Sequence, residues 1–97
     1  MADPLAVIIR FNGDPDDLID RFERARRLWT EAQDGDYDQP VFYAACKTDD
    51  GIAIVTAWDT ARAHRAFGHP MGPHLQAVGI GTPDEIERLR IKKLGWN

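Results

Sequence analysis

The sequence has one cysteine, no long apolar run and no excess of basic residues, and each shortage argues against a class of protein. The lone Cys46 cannot form an internal disulfide, which fits a reducing, cytoplasmic compartment in which it serves as a small core residue. No apolar run approaches the ~18–20 residues of a membrane helix, and residues 1–4 do not resemble a signal peptide. A formal net charge of −4 argues against broad binding to nucleic acid or anionic membranes.

Signatures of several common chemistries are missing as well. The sequence has no Gly-rich phosphate loop, nucleophile elbow or paired-carboxylate motif, and Asp49 and Asp50 have the pattern of turn residues. Three histidines, His64, His69 and His74, recur every five residues. That spacing does not align them on one helical face, and no Cys or acidic residue nearby completes a metal set, so we predict no metal site. The residues alone leave open whether the protein is an enzyme.

The segment 41–78 organises the rest of the chain. It is predicted to be a strand, a tight Asp-Asp-Gly turn, a second strand, and a helix that breaks at Gly68 and restarts at Pro73. The second strand, IAIVTAW at positions 52–58, is apolar on both faces. Ile52, Ile54, Thr56 and Trp58 form one face, and Ala53, Val55 and Ala57 form the other. A strand that is apolar on both faces is expected to be buried on both.

The remaining elements follow from capping and periodicity. The segment 5–11 is predicted to be a strand whose face of alternate apolar residues meets the helices. A first helix is predicted from Asp14, its N-cap, to about Gln33, and Thr60 is predicted to cap the second helix. The first helix is expected to bury Leu18, Phe22, Ala25, Trp29 and Ala32. Its expected i,i+4 ion pairs are Asp17/Arg21, Asp20/Arg24 and Glu23/Arg27. A polar loop spans 33–40, and a last strand spans 85–94.

The order strand, helix, strand, strand, helix, strand predicts one α+β domain over residues 1–97. It is the ferredoxin-like split βαββαβ arrangement, a four-stranded antiparallel sheet with the first and third strands central and both helices on one face. Two helices cover only one face of such a sheet. An identical sheet from a second copy would cover the other, so we predict a homodimer. Arg88, Arg90 and Lys92 would then guard an edge strand or contact the partner chain.

This pattern of elements, with the DDG turn, IVTAWDT and the helix after Thr60, resembles the dimeric α+β-barrel proteins related to antibiotic-biosynthesis monooxygenases. The resemblance implies two sheets packed face to face as a β-barrel. It also implies a cofactor-free monooxygenase or cyclase acting on an aromatic or polyketide-like small molecule. The haem-degrading branch of that family has an Asn in its first strand and a Trp where this chain has Phe67, so we expect no haem degradation. The resemblance to cofactor-free members implies that the protein uses no cofactor. The alternative is a non-catalytic dimer that binds a ligand or has a structural role.

Six residues are candidates for a site. His69 and His74 are candidate catalytic residues, because histidine exchanges protons near neutral pH. The candidate substrate-binding residues are Arg10, Tyr43, Trp58 and Phe67. Arg10 would anchor an acidic or phenolate ligand, and the aromatic residues would form flat walls. The structural alternatives are an ion pair for Arg10, core packing for Tyr43 and Trp58, and surface or capping roles for the histidines.

The sequence predicts that a ligand site, if present, lies between the sheet and the second helix. An enzyme would bring Arg10, a histidine or Tyr43 together at one apolar cavity. A structural dimer would instead fill that space with Trp29, Trp58 and Phe67. Neither the substrate nor the sheet face that lines a pocket follows from the residues alone.

Overall fold

The computed structural model describes residues 4–32 and 40–93, with residues 67–70 described by their backbone alone. The elements run in the predicted order. The strands are β1 (Leu5–Asn12), β2 (Phe42–Lys47), β3 (Gly51–Trp58) and β4 (Glu85–Arg90), and the helices are α1 (Pro15–Ala32) and α2 (Ala61–Ala77). The strand–helix–strand repeat of the ferredoxin-like fold is therefore confirmed. Residues 33–39 of the loop predicted at 33–40 lie outside the described residues, as does the last residue of the strand predicted at 85–94. That strand is shorter than predicted, because β4 ends at Arg90.

All strand pairs in the sheet are antiparallel, in the order β2-β3-β1-β4. The two apolar strands β1 and β3 are central, as predicted, with Val7 opposite Thr56 and Phe11 opposite Ile52. Within β3 the side chains of Ile52, Ile54 and Trp58 are almost fully buried. They share the helix-covered face with Val7 and Phe11, which fixes this face as the side of the hydrophobic core.

Helix α1 begins where its capping residues predict. The Asp14 carboxylate accepts a hydrogen bond from the backbone N–H of Asp17 at 3.2 Å, and Pro15 occupies the first helical position. Phe22, Ala25 and Trp29 are buried along one stripe of the helix. They pack in one cluster with Ile52 and Ile54 of β3, so the four-three spacing in the sequence predicts the buried face of the helix correctly.

Helix α2 corrects the prediction of a break at Gly68. The helix is continuous from Ala61 to Ala77, with Thr60 as its N-cap accepting a hydrogen bond from the N–H of Ala63 at 3.0 Å. Each proline removes one backbone donor from the helix, a local cost. Met71, Leu75 and Val78 form a buried stripe with four-three spacing in the same cluster as Phe22 and Trp29. Burial of that stripe outweighs the loss, so the helix passes through a segment whose local sequence predicts an interruption.

Three smaller expectations are also wrong. Ala32 is exposed, because the helix ends there and its buried stripe stops at Trp29. Cys46 is exposed rather than a core residue, because its side chain lies on the uncovered face of the edge strand β2. Glu23 forms an i,i+3 ion pair with Arg26 at 3.1 Å instead of pairing with Arg27, while the predicted Asp17/Arg21 and Asp20/Arg24 pairs are present.

The second face of the sheet has no helix over it. Most side chains of the central strands on this face are small or apolar, among them Ile8 and Val55, which are half-buried, while Arg10 of β1 is charged. On the flanking strands of the same face, Phe42 is 41% exposed and Leu89 is 47% exposed. The single chain thus presents an apolar surface beside a fully formed core. No helix within the described ranges is long and apolar enough to cross a membrane.

Gly51, at the start of β3, lies close to the backbone of the neighbouring strand β1. A methyl group at this position would lie 2.0 Å from the carbonyl oxygen of Phe11 and 3.0 Å from the Cα of Asn12. Backbone atoms of a central strand cannot move aside as a flexible side chain can. We therefore expect Gly51→Ala to lower the free energy of unfolding by about 3 kcal/mol, the upper part of the usual range for overpacking. Urea denaturation followed by circular dichroism measures the effect.

Gly72 offers the matched control for this substitution. It lies inside α2, and a methyl group there would meet nothing within 4 Å. Because alanine is a better helix former than glycine, Gly72→Ala is expected to raise the free energy of unfolding by about 0.5–1 kcal/mol. Equal stability of the two variants would contradict the contact assigned to Gly51.

Candidate functional site

A cavity of about 580 Å³ lies between the helix-covered face of the sheet and the two helices. Apolar side chains of β1, β3, α1 and α2 form most of its wall. These are Val7, Ile9, Phe22, Trp29, Ile54, Trp58, Met71 and Leu75. The polar and charged side chains that reach it include Arg26, Tyr43, Thr56, His64, Arg65 and Arg88. A volume in the range of about 300–1,000 Å³ with few polar groups is typical of small-molecule sites.

Tyr43, from β2, forms one polar group of the wall together with two side chains of α1. Its hydroxyl donates a hydrogen bond to Glu23 Oε1 at 2.8 Å and accepts one from Arg26 Nη1 at 2.6 Å. Arg26 Nη1 also donates to Glu23 Oε2 at 3.1 Å, and its guanidinium carbon lies 4.0 Å from the centre of the Tyr43 ring. The three side chains hold each other in place, which fixes the orientation of the ring against the cavity.

Burial raises the pKa of the Tyr43 hydroxyl above its usual value, and the hydrogen bond to Glu23 raises it further, while the charge of Arg26 acts in the opposite sense. The phenol therefore stays protonated at neutral pH. With its proton donated to Glu23, Tyr43 cannot serve as a general base, and its contribution is a fixed aromatic wall with a polar edge.

His64, on the first turns of α2, is the titratable group placed against Trp58. Its ring meets the Trp58 ring edge to face, with 5.5 Å between ring centres and 66° between planes. Burial lowers the pKa of His64 below its usual value, and the positive charges of Arg88 and Arg65 lower it further. His64 is consequently neutral at pH 7, the form that accepts a proton.

Trp58 is held by its own strand. Its indole N–H donates to Thr56 Oγ1 at 2.8 Å, and the Thr56 hydroxyl donates to the carbonyl oxygen of Val7 at 3.1 Å. Thr56, the only polar side chain in the apolar strand, therefore links Trp58 to the neighbouring strand β1. The chain of hydrogen bonds fixes the aromatic surface on which His64 packs.

The structure brings together only some of the residues predicted from the sequence. Tyr43 and Trp58 both line the cavity. Arg10 lies on the opposite face of the sheet, where it forms ion pairs with Glu87 at 3.3 Å and Glu85 at 3.7 Å. It therefore has the structural role given as the alternative, an ion pair within the sheet. His74 is half-buried on α2 and is not among the residues that line the cavity.

Phe67 and His69 lie outside the described side chains, and their roles stay predictions. The predicted location, between the sheet and α2, matches the position of the cavity. The reason given for that location, a break in α2 from Gly68 to Gly72, is wrong, because the helix is continuous there.

Four charged or ionisable cavity residues are absent from the sites predicted from the sequence, namely Arg26, His64, Arg65 and Arg88. Two of them carried a usable signal. Arg26 lies four residues after Phe22 and three before Trp29, on the buried stripe of α1, and His64 lies seven residues before Met71 on that of α2. Arg88 lies on the edge strand β4, as predicted, and the sheet face that its side chain occupies depends on its pairing with Val7. No sequence pattern gives that register.

Within the described ranges, no group of three or more His, Cys, Asp or Glu side chains is arranged to hold a metal ion. The titratable groups that reach the cavity come instead from four elements, α1, β2, α2 and β4. Such an arrangement allows the neutral form of His64 to accept a proton and the arginines to attract an anion.

Comparison with known proteins gives matches in structure and none in sequence. No protein-family model matches the chain. No curated protein matches it at a significant level. A crystal structure from Chloroflexus aurantiacus J-10-fl, named as a candidate antibiotic biosynthesis monooxygenase, superposes with a TM-score of 0.58 at 19% identity, covering 100% of this chain and 97% of that one. SnoaB from Streptomyces nogalater, a cofactor-independent oxygenase, superposes with a TM-score of 0.55 at 19% identity, covering 98% and 97%.

The chain has the fold of the antibiotic-biosynthesis-monooxygenase-like proteins. The resemblance found in the order of elements and in the DDG and IVTAWDT segments is confirmed at the level of the fold. A structural similarity at 19% identity shows the fold and not the activity. The features that bear on function are those of the cavity.

Proposed function

We propose that the protein is a cofactor-free oxygenase that oxidises an aromatic or polyketide-like compound in the cavity between sheet and helices. The observation that carries the proposal is the position of His64 at an apolar cavity of about 580 Å³ whose walls include Tyr43 and Trp58. A planar ligand would lie against the aromatic walls while His64 reaches an acidic proton on it. The relation in fold to SnoaB, a cofactor-independent oxygenase, agrees with this chemistry.

The proposed reaction needs no external electron donor. His64 removes a proton from an activated methylene or enol of the substrate, and the resulting carbanion passes an electron to dioxygen. Recombination at carbon gives a peroxide anion, which takes the proton back from His64 and then loses water to leave a carbonyl. A methylene and one O₂ thus become a ketone and one water, with dioxygen as the sole oxidant. The candidate base in this scheme is His64 rather than His74, because His64 lines the cavity.

Anthrone, a planar tricyclic ketone with an activated methylene, is a suitable first probe. With purified protein and a chelator present, and without added flavin or reductant, we expect oxygen uptake and quinone formation in equal amounts at a rate proportional to protein concentration. An oxygen electrode and ultraviolet absorbance measure both. Uptake equal to that of buffer across a panel of related planar phenols would overturn the oxygenase proposal. Binding of such compounds without uptake would favour the alternative, a ligand-binding protein.

We further propose that the protein is a cytoplasmic homodimer, with the uncovered sheet faces packed together as a barrel. The apolar side chains Ile8 and Val55 at the centre of that face, and the exposed Phe42 and Leu89 beside them, support this arrangement. Light scattering during gel filtration at micromolar concentration is expected to give twice the chain mass of 10.9 kDa. A clean monomer would contradict the dimer.

A charge at the centre of the face tests the same proposal. Val55→Glu is expected to shift the protein to a monomer, because the dimer would have to bury an unpaired carboxylate. Leu28→Glu, which adds the same charge at a residue 42% exposed on α1, is the control and should remain dimeric. Dissociation by both variants would show that added charge, rather than its location, is responsible.

A further inference from the structure

The charges around the cavity are distributed unlike those of the chain as a whole. The sequence has 16 acidic and 12 basic residues, yet the described residues that line the cavity include Arg26, Arg65 and Arg88 and no aspartate or glutamate. An acidic protein thus has a cavity bordered by positive charge. Low-dielectric walls strengthen the effect of such charges on a ligand inside.

The three arginines are not equivalent. Arg26 is neutralised by Glu23 at 3.1 Å and donates to Tyr43. Among the described residues, no carboxylate forms an ion pair with Arg65 or Arg88. Both of these side chains are exposed as well as lining the cavity, which puts them at its rim. Both arginines act electrostatically on His64, so the uncompensated charge lies near this histidine.

We infer that Arg65 and Arg88 form a subsite for a carboxylate, and that the ligand of this cavity is a planar aromatic acid. An arginine binds a carboxylate through paired N–H donors, and two arginines on separate elements, α2 and β4, would fix its direction. The apolar wall of the cavity then receives the aromatic part of the ligand. The inference rests on the proposed function only in using the same cavity, and it concerns binding rather than turnover.

The position of His64 between these groups gives a second expectation. The charged groups that reach the cavity are Arg65 on α2 beside it, Arg88 on β4, and Arg26 on α1, which is already paired with Glu23; β1 and β3 contribute uncharged side chains. A bound carboxylate would offset the two unpaired arginines, whose charges help to lower the pKa of His64 in the free protein. Binding of an acid is therefore expected to raise the pKa of His64.

Naphthalene-carboxylic acid and the naphthalene-carboxamide with the same ring position make a matched probe pair that differs in charge. Titration calorimetry near neutral pH is expected to show the acid binding about tenfold more tightly than the amide, with a difference that shrinks between about 20 and about 300 mM NaCl. NMR of the His64 ring is expected to show its pKa rising with the acid and not with the amide. Equal binding of the two probes, or a preference for the amide, would overturn the inference.

Variants assign the subsite to its residues. Arg65→Gln and Arg88→Gln are each expected to weaken binding of the acid about threefold to fivefold and to leave the amide unchanged. Arg62→Gln, at an exposed arginine of the same helix that does not line the cavity, is the control and should change neither. Loss of affinity for both probes in an arginine variant would point to a change of shape and count against a charge subsite.

The outcomes separate this inference from the proposed oxygenase. A preference for the acid without oxygen uptake would leave the carboxylate subsite in place and remove the oxygenase. Oxygen uptake with equal binding of charged and neutral probes would leave the oxygenase and remove the subsite.

Discussion

Phe22→Ala is expected to lower the free energy of unfolding by about 3–5 kcal/mol, the cost of removing a buried aromatic side chain from a packed core. Phe22 is 3% exposed and packs with Phe11, Ile52 and Ile54 in the cluster that joins α1 to the sheet. It also lines the cavity, so the space left by truncation adjoins space that is already empty. Side chains that already border an empty space are not expected to move inward and fill the new one. The expected cost therefore lies in the upper part of the range.

Chemical denaturation followed by circular dichroism measures the change. For a domain of about 100 residues, each kcal/mol corresponds to about 4–8 °C in Tm, so a thermal scan gives an independent estimate. Leu28→Ala on the same helix is the control. Its side chain is 42% exposed, and its truncation is expected to stay within about 0.5 kcal/mol of the wild type. A denaturation midpoint unchanged by Phe22→Ala would show that this face of α1 is not packed on the sheet.

The fold could be predicted from the sequence because its strongest local signals agree with its packing. Asp14 and Pro15 start α1 where the cap and the first helical position predict, and Thr60 does the same for α2. Residues 52–58 are apolar on both faces, which predicts a central strand, and β3 pairs with both β1 and β2. Each of these signals acts within a few residues, so no knowledge of distant contacts was needed.

The continuity of α2 could not be predicted in the same way. Gly68, Pro70, Gly72 and Pro73 weaken a helix locally, and a prediction from local propensity ends the helix there. The helix persists because Met71, Leu75 and Val78 bury a continuous stripe against α1. That gain comes from a neighbour more than forty residues away in sequence, since the stripe meets Phe22 and Trp29. Tertiary packing, rather than local helix propensity, therefore determines that α2 is continuous.

The candidate site depends on register even more than the helix does. Arg10 and Arg88 both lie on strands, and the sequence favoured Arg10 as the functional one because it is in a central strand. The pairing of Val7 with Arg88 turns Arg88 toward the helices, while Arg10, opposite Glu85, points to the other face. A shift of one residue in β4 would exchange its two faces. The sequence therefore identifies Arg88 as a strand residue but does not show which face of the sheet its side chain occupies.

His64→Gln is expected to lower the rate of oxygen uptake about 10²–10⁴-fold in the proposed reaction, the usual contribution of a general base. Glutamine keeps hydrogen-bonding ability and similar size, but it cannot take a proton from the substrate. His74→Gln tests the competing assignment, since His74 was a candidate from the sequence and does not line the cavity. We expect it to keep the wild-type rate. Loss of activity in His74→Gln with full activity in His64→Gln would reverse the assignment of the base.

The pH profile distinguishes a lost base from a disturbed wall, because His64 also packs against Trp58 at 5.5 Å. A base acts in its neutral form, so the wild-type rate should rise with pH through the pKa of His64 and then reach a plateau. Burial and the neighbouring arginines lower that pKa, which puts the rise below the ordinary histidine value of 6.5 and the plateau at neutral pH. His64→Gln should remove this rise altogether. A variant that is slower but keeps the same inflection would show that another group removes the proton and that His64 only supports Trp58.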